Sequence, residues 1–89
     1  MKTQYFNFGE IVMTHGVSLE LEMEEVLQLL TWHGQLKQGE LSETDYQENW
    51  NAMRSGDRIF SAYRMNGQKY FVITEWDRSV TTVLKPEEY

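Results

Sequence analysis

The sequence predicts a single small α+β domain of order β-α-α-β-β-β, a mainly antiparallel sheet with two helices packed on one face. Three observations predict it. An Asn-Gly pair sits between two alternating apolar runs, two other stretches carry apolar residues at helical spacing between capping residues, and a short β-favouring segment precedes them all.

Residues 9–14, GEIVMT, form that first strand, with His15-Gly16 as the turn ending it and the edge of the sheet as its place. Ser18 is the expected N-cap of a helix over 20–33. Met23, Val26, Leu27, Leu30 and His33 recur at its spacing, and Gly34 stands at the C′ position. After a polar linker at 35–41, Ser42 and Asp45 form a shortened capping box, and Leu41 with Tyr46 a hydrophobic staple. Tyr46, Trp50 and Met53 give the second helix an aromatic stripe. Beside it lies Asn49, whose amide needs partners if buried and is expected to tie helix to sheet; Ser55-Gly56 ends the helix.

Residues 57–84 read as three antiparallel strands. Asn66-Gly67 supplies the positive-φ pair of a two-residue hairpin, which sets Tyr63 opposite Tyr70, Ser61 opposite Val72 and Ile59 opposite Thr74. A tight turn at 76–79 then sets Ile73 opposite Thr82 and Phe71 opposite Leu84. Alternation separates two faces. Phe60, Ala62, Phe71, Ile73, Val80 and Leu84 are expected to form the core. The opposite face, with Ile59, Tyr63, Tyr70, Val72 and Val83 among hydroxyl residues, is too apolar to be left wet, so the N-terminal segment or a second copy of the chain is expected over part of it, a homodimer being the second case. Pro86 stops the last strand.

At 89 residues the chain holds one core and cannot also enclose a large cofactor; none is expected. Without cysteine it has no disulfide framework and no thiolate chemistry, and no apolar run approaches a membrane span, so a soluble cytoplasmic protein is expected. The net charge of −6 is unevenly placed. Nine acids between Glu10 and Glu48 face Lys37 alone, whereas six basic residues between Arg54 and Lys85 face three acids. A direct nucleic-acid binder needs a denser basic patch, so none is expected to bind; an acidic face suits a basic partner or an imitation of nucleic-acid charge.

His33, in the last turn of a helix, suits the negative end of the helix dipole. With His15 eighteen residues away and no HxxxH spacing, no metal site is expected. The densest polar cluster is the turn carrying Thr74, Glu75, Asp77 and Arg78, with Arg58 across from Glu75. It fits either structural bonding within the turn or recognition of a partner, and an acid–base pair is a third use. Tyr63 and Tyr70 join these as candidate binding residues on the face expected to be open.

Residues 9–17, 33–41 and 57–89 resemble a family of small bacterial proteins often encoded near plasmid or conjugative-element genes, sometimes labelled a type I restriction enzyme subunit. The resemblance is most specific at Ser61-Ala62-Tyr63 and over 73–89, where the family pattern is ITEADRSVTT-LLPEEY. Trp76 replaces a small residue in the turn, and Leu36-Lys37-Gln38 stands where the family has Gly-Asp-Trp. A methylating subunit needs a cofactor domain and a glycine-rich loop, and both are missing here. The resemblance implies a mobile-element accessory protein. Three functions are open: a module that binds another protein, an acidic nucleic-acid mimic that inhibits a DNA-binding enzyme, and a small hydrolase or ribonuclease built on Glu75, Asp77, Arg78 and His33.

Overall fold

A computed structural model describes residues 3–89. It is an α+β domain with four strands, β1 (Glu10–Met13), β2 (Ile59–Met65), β3 (Gln68–Thr74) and β4 (Val80–Leu84). Three helices, α1 (His15–Glu20), α2 (Met23–Gly34) and α3 (Glu43–Ser55), and a closing 3₁₀ turn (Pro86–Glu88) complete it. The sheet order is β1-β4-β3-β2. The three later strands form an antiparallel meander, and β1 adds beside β4 in parallel. Every expected meander pair is present, because Asn66 and Gly67 both take positive φ and hold the two-residue turn.

The two faces are reversed from the expectation. Ile59, Ser61, Tyr63, Tyr70, Val72, Thr74, Thr81 and Val83 are buried under the helices, so the face expected to be open holds the main core; of the face expected to be core, Ala62, Ile73 and Leu84 are also buried. Tyr63 and Tyr70 are buried because their hydroxyls stay satisfied: Tyr63 donates to the Lys37 carbonyl and Tyr70 to the Glu20 carboxylate. A homodimer through this face would need a surface that the chain's own helices cover. On the other face Phe60 and Phe71 are half-buried, with the Tyr89 ring against both.

The first helical stretch is two helices. Thr14, not Ser18, is the N-cap of α1, its hydroxyl accepting from the Val17 amide, and His15-Gly16 opens that helix instead of ending the strand in a turn. Gly16 lets the Glu88 carboxylate approach. Glu88 accepts from the Gly16 amide and the Thr14 hydroxyl, where a Cβ at 16 would clash. Leu21 is extended and packs on the core, which breaks the helix before Glu22 starts α2. Gly34 is the last residue of α2 and is small for packing, since a Cβ there would press on the Phe8 ring. The left-handed residue that ends α2 is Leu36, at φ 54°, with the Leu36 and Lys37 amides bonded to the His33 and Trp32 carbonyls. A leucine accepts that strained conformation because its side chain fills a second core cluster with Ala52 and Ile59.

Ser42 caps α3 and accepts from the Asp45 amide as expected, and Gly56 ends it in the left-handed region. Its most buried residues are Asn49 and Ala52; Tyr46, Trp50 and Met53 are half-buried beside them. The Asn49 amide ties helix to sheet, donating to the Phe60 carbonyl at 2.8 Å and accepting from the Phe60 amide at 3.1 Å. The Glu40 amide takes the next outward carbonyl, that of Ala62. Side chain and linker thereby occupy the backbone groups along this edge of β2.

Gly39 makes the second contact possible. It sits at φ +56°, and a Cβ would overlap the Ala62 carbonyl oxygen and the Tyr63 ring; Gly67, at φ +78°, faces open space. We expect Gly39→Ala to lower unfolding free energy by about 2–4 kcal/mol and Gly67→Ala by about 1 kcal/mol, since only the former adds a collision to the φ strain. Urea titration of both variants checks this, and equal losses would refute it.

Candidate functional site

His33 sits at the seam between the two core clusters and is fully buried. Its Nδ1 is 2.8 Å from Ser61 Oγ and its Nε2 is 2.8 Å from Thr74 Oγ1. Thr74 Oγ1 is in turn 2.7 Å from Thr81 Oγ1, and Thr81 donates to the Phe8 carbonyl at 2.7 Å. The two ends fix the direction of the whole row. A carbonyl only accepts, so the Thr81 hydroxyl hydrogen goes to Phe8, the Thr74 hydrogen to Thr81, and the Nε2 hydrogen to Thr74. Nδ1 is then an acceptor, and Ser61 donates to it while receiving a long 3.5 Å contact from the Asn49 amide.

That assignment is the one for a neutral imidazole, which full burial favours over the charged form. Burial pushes the His33 pKa down to about 3, with the Arg78 charge lowering it further. The last-turn position of His33 is therefore not a dipole cap, since no charge sits on it. Phe6 lies between these groups. Its ring meets the imidazole edge-on at a centroid distance of 5.2 Å, and the Arg78 guanidinium lies 5.6 Å from its centroid.

Arg78 closes the 75–79 turn from within. At φ 59°, its guanidinium donates to the carbonyls of Asp57, Ala52 and Glu75, and at 3.4 Å to that of Trp76. It thereby joins the turn to the end of α3. Asp77 accepts from the Ser79 hydroxyl and amide, which hold its carboxyl below the usual range. Arg58 forms no ion pair with Glu75 among the described residues; it donates to the Tyr89 hydroxyl and lies over that ring. Burial raises the Tyr63 hydroxyl to about 12, and burial with the Glu20 carboxylate raises Tyr70.

The structure thus joins His33 to Thr74 and joins Arg78 to the backbone beside Arg58. It does not bring His33, Asp77 and Arg78 to one solvent-facing cleft. Tyr63 and Tyr70 belong to the interior. Ser61, Thr81, Phe6 and Phe8 complete the buried row and were missed as members of it. Their signal was available: three small hydroxyl residues stand at alternating positions on an otherwise apolar face.

Two exposed features adjoin the turn. Trp76 is 66% exposed. Nearby, a groove of about 430 Å³ lies between α3 and the strand edge, lined by Asp45, Glu48 and Asp57 opposite Arg58, with Phe60 and Tyr89 among its apolar lining. No group of histidine and carboxylate side chains among the described residues is arranged to hold a metal, and no described helix is long and apolar enough to cross a membrane. No protein-family profile, curated protein or solved structure matches this chain.

The depressed His33 pKa sets a pH dependence. The unfolded chain gains a proton below about 6.5 and the folded chain does not until about 3, so stability present above 6.5 is lost as pH falls through that window. Once well below 6.5, the loss approaches about 1.4 kcal/mol per pH unit. Urea unfolding between pH 7 and pH 5 checks the slope. Imidazole resonances should show His33 neutral throughout, and a His33 titration midpoint near 6 would refute it.

Proposed function

We propose that this chain is a small cytoplasmic accessory protein that acts by binding another protein, in the mobile-element setting that its resemblance implies. The observation that carries the reading is Trp76. A large aromatic side chain stands 66% exposed on a turn that Arg78 braces through the Glu75 and Trp76 carbonyls and ties to the Ala52 carbonyl of α3 and the Asp57 carbonyl just beyond it. Exposed aromatic residues on rigid supports lose little entropy on contact and supply much of the energy at protein interfaces. The adjoining groove adds apolar rings and three carboxylates, which suit a partner segment carrying a basic residue beside an apolar one.

The other readings gain less from the geometry. The hydrolase reading loses His33, which is sealed from solvent, while Arg78 is turned to backbone carbonyls and Asp77 is bonded to Ser79. Glu20 and Glu40 are paired with Lys85 and Arg64, which lowers the acidic charge available to a nucleic-acid mimic.

Trp76→Ala should leave unfolding free energy within about 0.5 kcal/mol of the native value, because the side chain is exposed. Used as bait in nuclease-treated host lysate, the native protein should retain a stoichiometric protein partner and Trp76→Ala should lose most of it. Equal retention by both baits would exclude Trp76 as an anchor; retention of nothing by the native bait would remove the binding reading.

A further inference from the structure

The two edges of the sheet are finished differently. Along β2 the outward backbone groups of Phe60 and the Ala62 carbonyl are taken by Asn49 and Glu40. Along β1 the Glu10 and Thr14 amides donate to the Ser79 and Val83 carbonyls of the β4 side. In a parallel ladder alternate residues carry the bonds, so Val12 faces β4 as well and Ile11 and Met13 turn their N–H and C=O outward. No described segment covers that edge. It has no proline, lysine or bulge in EIVM, and its protection is limited to its shortness and Glu10.

The surface beside it is apolar. Ile11 is 45% exposed, and across a shallow cleft of about 220 Å³ it meets Leu27 of α2, 53% exposed, with Met23, 63% exposed, one turn earlier.

We propose that a second copy of this chain pairs with β1 in antiparallel fashion across a two-fold axis, making one continuous eight-stranded sheet. The register follows from the outward groups. Ile11 of one protomer faces Met13 of its partner, which yields four main-chain hydrogen bonds and places the two Val12 side chains together at the axis. In this register each Glu10 falls opposite Thr14 of the other copy, so the strand's only ionised side chain does not meet its equivalent. The exposed Ile11, Val12, Met23 and Leu27 side chains supply apolar surface beside the strand for this pairing.

Light scattering coupled to size-exclusion chromatography should show twice the chain mass at micromolar concentration. Residue-resolved hydrogen exchange supplies a reading that no variant can confound. In the dimer the Ile11 and Met13 amides exchange as slowly as that of Val12; in a monomer they exchange fast while Val12 stays protected. Ile11→Pro removes only an outward N–H and should keep the β1–β4 ladder. It should weaken the dimer roughly a hundredfold or more, as two of the four bonds and the isoleucine contact are lost. Leu27→Lys, at an exposed helical site, should weaken it too with an unchanged circular dichroism spectrum. A native chain that stays monomeric with fast Ile11 and Met13 amides overturns the proposal, including when another protein is found to pair with β1. So does a dimer that both variants leave intact.

Discussion

A histidine with no charge and no access to water holds the centre of this fold. In the neutral ring its two nitrogens differ in role, one donating and one accepting, and a hydroxyl on either side meets each of them. Through it α2 is fastened to β2 by Ser61 and to β3 by Thr74. Thr81 then carries the row into β4 and on to the N-terminal segment at Phe8. A polar row in a core is costly when incomplete and specifying when complete. Here it is complete: among the described residues no buried side-chain polar atom lacks a partner.

The same row explains which parts of the fold were legible in the sequence. Local chemistry was readable where one or two residues decide the backbone, as at Asn66-Gly67, Ser42 and Gly56, and the hairpin register followed from the first of these. The choice of core face was not readable by hydrophobicity alone. Both faces carry aromatic and β-branched residues, and Phe60 with Phe71 look more like core than Tyr63 with Tyr70. What decided it was satisfaction of polar atoms by distant residues: Lys37 and Glu20 for the tyrosines, His33 for the hydroxyls. Sequence spacing does not display contacts of that range.

The end of α2 shows another limit. Gly34 has the composition of a C′ residue, yet the left-handed position falls on Leu36, because burial of a leucine between α3 and β2 outweighs the local strain. The expected break at His15-Gly16 failed for a related reason. Gly16 is there for the close approach of Glu88, seventy-two residues later, and not for a turn. Of the candidate site, the turn was recognisable as a polar cluster, but the assignment of its members was not. Arg78 faces inward to carbonyls while Trp76 is left to the solvent.

The placement of β1 has a consequence for synthesis in the cell. Its ladder partner is β4, about seventy residues further along, and α1 is held at its start by Glu88. Neither contact exists while the ribosome still covers the last strand. The meander cannot close before then either, so a nascent chain emerges as helices and an unpaired Ile-Val-Met strand with no native shelter. Folding is therefore deferred until residues 80–88 are free of the ribosome, and until then this segment is most exposed to capture by a chaperone or to aggregation.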